Sequence, residues 1–147
     1  MKHSKSKAPI FEAVLKENRK LNIELIGNKK VQQLFKDIAG VHVYHPMSWY
    51  SYRELISNPG RIIGLAPLLQ TPFNLARSAS KFFDITQAGA VGIYANSPVY
   101  SEQVIHRQNG LLLPMDSRVW AEQILYLADN TDQRMTMWKN AHKCINP

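Results

Sequence analysis

The sequence predicts an α/β protein in which a parallel sheet is covered by helices on both faces. Two observations carry that expectation. Apolar stretches alternate with amphipathic ones along the whole chain, with turn formers between them. The apolar stretches also read as continuous runs, as in residues 61–69 and 90–95, and not as the in-and-out alternation of a half-exposed strand. No internal repeat, low-complexity segment or linker interrupts the pattern, and 147 residues fit one domain with a sizeable core.

Residues 6–20 form the first amphipathic helix. Ser6 can cap it, Pro9 suits its first turn, and Ile10, Phe11, Val14 and Leu15 make one apolar stripe. Residues 22–26 (NIELI) are a strand closed by Gly27 and Asn28. A short helix over 31–38 turns Val31, Leu34, Phe35 and Ile38 inward and ends at Gly40; strand 41–44 follows and stops at Pro46. Residues 48–57 make a helix carrying Trp49, Tyr52, Leu55 and Ile56, stopped by Pro59 and Gly60, and 61–69 is the most apolar strand. A loop and a helix lead to strand 90–95, a turn at 96–98 and a short helix or turn over 100–106. Gly110 precedes the brief strand 111–113. Asp116 or Ser117 then caps a long helix through Trp120, Ile124 and Leu127, with a break near 129–132 and more helix to about Lys143.

A doubly wound sheet usually opens on a strand, and that strand is typically central. Here only MKHSK precedes the first helix. The expectation is a sheet without its first central strand, in a chain that begins inside a larger domain. Such a sheet must close up, recruit a second copy as a homodimer, or expose an edge.

Composition narrows the function classes. A hydrophobic fraction of 45% and a charged fraction of 20% are ordinary for a soluble protein. The longest apolar runs are too short to span a bilayer, and the basic start lacks the apolar region of a secretory signal. The one cysteine, Cys144, excludes an internal disulfide and a cysteine-based metal cluster, so a cytoplasmic location is expected. The net charge of +7 gathers in the first third, which suits nucleic acid, an anionic membrane surface or a phosphorylated substrate. No RGG-like tract, zinc-finger spacing or RNP-like strand accompanies it. His42, His45 and His106 lack companion carboxylates at metal-ligand spacing and read as surface or core-edge residues. Trp120, Met135, Met137 and Trp138 recur at helical spacing and read as packing.

The stretch 61–92 carries the candidate site. A ligand in an open α/β sheet usually sits in a strand-to-helix loop outside the carboxyl ends of the strands. This loop offers Thr71, Asn74, Arg77 and Ser78, and the helix after it carries Lys81 and Asp84. Arg77, Lys81 and Asp84 are spaced i, i+4, i+7 and share one helix face. Two cations and a carboxylate at a helix N-terminus suit an anionic ligand that also has hydroxyls to hold. The same residues equally suit a solvated face with an internal Lys81–Asp84 pair.

The run LAPLLQTPFNLARSASKFFDITQAGAVGIYANSPVYSEQVIHRQNGLLLP resembles the C-terminal domain of bacterial GT-B fold glycosyltransferases. The likeness is to the group 1 retaining type that assembles surface polysaccharides. Those enzymes carry a run similar to LAPL-x-x-TPFN-x-x-KS-x-x-K-x-x-E, then A-x-G, P-Y-x-E-x-I and NGLLV. The chain matches at Leu65, Ala66, Pro67, Leu68, Thr71, Pro72, Phe73, Asn74, Ser78, Lys81, Ala88, Gly89, Pro98, Tyr100, Glu102, Ile105, Asn109, Gly110, Leu111 and Leu112. The first helix and the NIELIG strand are similar to that domain's second structural unit, and His3 stands where a short histidine-containing turn follows the absent first strand.

The resemblance implies a Rossmann-like three-layer α/β/α domain that binds a nucleotide-diphosphate sugar. A separate N-terminal domain would bind a glycan or lipid-linked acceptor, so the chain alone would be inactive. By position, the backbone amides around Arg77, Ser78 and Ala79 and the cations Arg77 and Lys81 would hold the diphosphate, and Asn74 also belongs to the donor site. Asp84 stands where the family has a glutamate that holds the ribose hydroxyls, and Tyr100, Ser101 and Glu102 would form a second loop near the donor. Three departures stand out: Asp84 is a shorter carboxylate, Arg77 replaces a frequent lysine, and Ala76 stands where many relatives have a second glutamate. No metal or other cofactor is implied, because fixed cations and helix-end amides can stabilise the leaving diphosphate. The inner membrane face is a compatible location. Two other readings remain: a non-catalytic Rossmann-like interaction module, and a basic nucleic-acid-binding protein.

Overall fold

The computed structural model describes residues 7–67 and 80–147. The Ser6 cap, the end of the strand expected over 61–69, and Thr71, Asn74, Ala76, Arg77 and Ser78 lie outside them. The described elements run α1 (Lys7–Glu17), β1 (Ile23–Ile26), α2 (Lys29–Phe35), β2 (Val41–Tyr44), α3 (Trp49–Ser57) and β3 (Ile63–Ala66). They continue with α4 (Ser80–Gln87), β4 (Val91–Ala95), α5 (Pro98–Ser101), β5 (Leu111–Leu113), α6 (Ser117–Asp129) and α7 (Thr131–Ile145).

Every described strand pairing is parallel, and the architecture is Rossmann-like α/β/α. One sheet was expected. The described strands instead form two, in the orders β1-β2 and β3-β4-β5. The two orders match the runs 3-2 and 4-5-6 of a doubly wound sheet. β1 and β3 accordingly have one neighbour each among the described strands.

The larger sheet is a true middle layer. All five residues of β4 are buried. Val91, Ile93 and Ala95 point to one face, where Val14, Trp120, Ile124 and Leu127 cover them from α1 and α6. Tyr94 points to the other, against Phe82, Tyr100, Val104 and Ala141. The β1-β2 sheet is built differently. Ile23 and Leu25 are half-buried while Glu24 and Ile26 are exposed, so β1 alternates where a continuous buried run was expected.

The turn chemistry sets the element ends. Asn28, Ser48, Ser97 and Asp116 each accept backbone N–H groups at the starts of α2, α3, α5 and α6, which satisfies donors that a helix start leaves open. Gly40, Gly60 and Gly89 sit at φ 91°, 115° and 84°, and each turns the chain before a strand.

Candidate functional site

One close approach brings α4 to the sheet. A Cβ on Gly64 of β3 would lie 2.6 Å from the Ile85 side chain, so the missing side chain is what lets α4 settle on that strand. Phe82 and Thr86 are buried beneath the helix, and the Thr86 hydroxyl donates to the Phe82 carbonyl at 2.7 Å. With that face turned inward, Lys81 and Asp84 are left half-buried beside α3.

The seat of α3 is set by Arg61. Its guanidinium donates to the Leu55 and Asn58 carbonyls at 2.9 and 3.2 Å, closing the C-terminal end of α3. The same side chain pairs with Glu24 of β1 at 2.8 Å, and Glu24 also accepts from the Tyr44 hydroxyl at 2.8 Å. That bond, above all, holds the Tyr44 phenol above its ordinary range.

Tyr52 is where α3 meets α4. The Lys81 ammonium lies over its ring, 5.7 Å from the centroid. Burial first, then the charge of Asp84 and hydrogen bonding to it, push the Tyr52 phenol up. Among the described residues the one ion pair is Arg61–Glu24. Lys81 and Asp84 therefore do not neutralise each other, although three residues apart on a helix is a spacing that permits it. The Lys81 ammonium rests over the phenol ring, and Asp84 lies on the same helix one turn on. Trp49 continues the cluster, 5.8 Å from the Tyr52 ring and with the Arg53 guanidinium 5.9 Å over its own. An open depression of about 580 Å³ lies along a different stripe of α3, lined by Met47, Ser51, Glu54, Leu55, Ser57 and Asn58.

The second expected loop divides. Tyr100 is buried at 5% exposure with its ring 5.1 Å from Tyr94, whereas Ser101 and Glu102 are exposed at the end of α5. Asn109 ties the following turn together, accepting from the Ile105 amide at 2.8 Å and donating to the Gln103 carbonyl at 3.0 Å. His106 Nδ1 accepts from the Leu112 amide at 3.0 Å, and partial desolvation, with Arg107 behind it, lowers its pKa. Beneath the loop, the Tyr94 ring fills the space over Gly92, where a Cβ would lie 2.2 Å from the hydroxyl. That hydroxyl is buried without a hydrogen-bond partner among the described residues, and burial drives its pKa well up.

Lys81 and Asp84 thus both lie half-buried on α4 beside α3, and Ser101 and Glu102 are open to solvent. Asn74, Arg77 and Ser78 fall outside the described residues. Tyr52 was read from the sequence only as part of a helix stripe. Its contact with α4 is long-range, and no local signal announces it.

No model of a known protein family matches the chain, and no curated protein does either. Among the described residues, no group of three or more His, Cys, Asp or Glu side chains could hold a metal ion. No described helix is long and apolar enough to cross a membrane.

Proposed function

We propose that the protein is the donor-binding domain of a glycosyltransferase, holding a nucleotide-diphosphate sugar against the start of α4. The observation that carries the reading is that Lys81, half-buried over the Tyr52 ring, makes no ion pair with Asp84 or any other described carboxylate. A cation not spent on a neighbouring carboxylate is available to an anion, and a partly buried one interacts more strongly than one in bulk water. The connection from β3 to α4 leaves the carboxyl end of a parallel strand, the usual place for a ligand in such sheets. The resemblance of residues 65–113 to the donor-binding run of group 1 enzymes supports the same assignment.

In this reading Lys81, with Arg77, Asn74 and Ser78, engages the diphosphate, and Asp84 accepts from the ribose hydroxyls. Ser101 and Glu102 lie in the second loop, and Tyr100 supports that loop from the core. The acceptor is held by a separate domain or a second copy, so the chain alone binds donor without transferring sugar.

Calorimetric titration with UDP and GDP tests this. Lys81→Ala should weaken the preferred nucleotide by roughly tenfold, as loss of a charge-assisted contact does. Unchanged affinity in that variant, or no binding of either nucleotide by the unaltered protein, contradicts the proposal.

A further inference from the structure

We infer that the open groove along α3 binds a neutral glycan chain, with Glu54 and Asn58 holding sugar hydroxyls and Tyr50 offering a ring for a sugar to pack on. The inference goes beyond the donor reading and does not depend on it. The stripe of α3 that brings Tyr52 to Lys81 is a different one.

A sugar ring has apolar C–H faces and a rim of hydroxyls that both donate and accept. The groove, of about 580 Å³, offers a counterpart to each. Met47 and Leu55 are its half-buried apolar part, and Ser51, Glu54, Ser57 and Asn58 are its exposed polar part. Those polar groups have capacity to spare. Among the described residues, neither the Glu54 carboxylate nor the Asn58 side-chain amide has a partner. The Ser57 hydroxyl donates to the Arg53 carbonyl at 2.7 Å, which leaves its oxygen free to accept. The Ser51 hydroxyl accepts from the Ser48 hydroxyl at 3.2 Å and keeps its own proton to donate. The Asn58 backbone is also anchored. Its N–H donates to the Leu55 carbonyl at 3.3 Å, and its carbonyl accepts from Arg61 at 3.2 Å. Its side chain therefore starts from a set position, which lowers the ordering cost of binding.

Charge decides the kind of glycan. The protein carries a net charge of +7, yet no cation lines the groove, and Glu54 is its one charged residue. An anionic chain would meet an unpaired carboxylate there, a juxtaposition that disfavours binding. Neutral hydroxyls would instead donate to that carboxylate in charge-assisted hydrogen bonds. Tyr50, Glu54 and Ser57 follow one another at i, i+4 and i+7, so Tyr50 stands on the groove's flank of the helix. It is 71% exposed, and a tyrosine ring supplies stiff apolar area at low entropic cost.

The test follows backbone amide shifts of the full chain during titration with three neutral probes, maltohexaose, laminarihexaose and mannohexaose. Hexagalacturonate and pentalysine serve as charged probes. A neutral hexaose should shift the amides of residues 50–58 and bind more tightly than either charged probe. Glu54→Gln should weaken it by about tenfold and Asn58→Ala by about fivefold. Tyr50→Ala should cost about fivefold, while Tyr50→Phe keeps the ring and should stay within about twofold. Glu54, Asn58 and Tyr50 are exposed, so the melting temperature should hold in all four variants, and so should the affinity for UDP or GDP.

Amides 50–58 that stay silent with all three neutral hexaoses overturn the inference. So does tighter binding of hexagalacturonate or pentalysine, which would make the groove a reader of charge. Unchanged hexaose affinity in both Glu54→Gln and Asn58→Ala overturns it as well. Each of these results leaves the donor reading to its own titration with UDP and GDP.

Discussion

The two sheets of this protein are made from the same parallel-strand grammar and differ in what covers them. β4 is buried along its whole length, between apolar clusters drawn from α1, α6 and α7 on one side and from α4, α5 and α7 on the other. β1 and β2 bury one face partly and leave Glu24, Ile26 and His42 exposed on the other. Burial of apolar area is the main favourable term in folding, so stability should be concentrated around β4. The smaller sheet depends more on its strand pairing and on the polar tie from Arg61 to Glu24. The candidate site lies where α3, the last helix before β3, touches α4, the first described helix after it.

Truncation should reveal the difference most strongly. Leu127→Ala removes a fully buried side chain from the larger cluster and should cost about 2–5 kcal/mol in denaturant unfolding. Ile26→Ala, at a position 44% exposed, should cost no more than about 0.5 kcal/mol. Similar losses at the two positions would erase the contrast.

The smallest effect expected is at the polar tie. Glu24→Gln breaks a pair whose side chains are 36% and 23% exposed, and such pairs are worth about 0.5 kcal/mol or less and fade with salt. A loss several times larger, and insensitive to salt, would mean that Arg61 and Glu24 carry the smaller sheet.

Most of this architecture was legible in the sequence. Turn formers and apolar periodicity placed the described helices and strands within a few residues, except the short helix expected over 100–106 and found at Pro98–Ser101, because both signals are local. Leu111–Leu113 was placed to the residue, and the break between α6 and α7 was found at Asn130. The division into two sheets was not legible as such, since pairing is non-local and an apolar run does not name its neighbour. β1 was misread for a related reason. NIELI is apolar enough to look fully buried, but its glutamate marks a face that no described helix closes. In the site, the helical spacing of Lys81 and Asp84 was readable, whereas Tyr52 reaches Lys81 across nearly thirty residues of intervening chain. Tyr100 shows the converse limit, because a motif position says which loop a residue belongs to and not whether its side chain faces ligand or core.

Hydrogen exchange across the backbone, with and without saturating UDP or GDP, tests the central claim most directly. The account predicts slow exchange in β4 and faster exchange in β1 and β2 before ligand is added. On binding, it predicts added protection both at the start of α4, around Lys81–Asp84, and in α3 around Tyr52, with α6 and α7 unchanged. Protection confined to another surface, or none at all in either α3 or α4, would contradict a donor site built across those two helices.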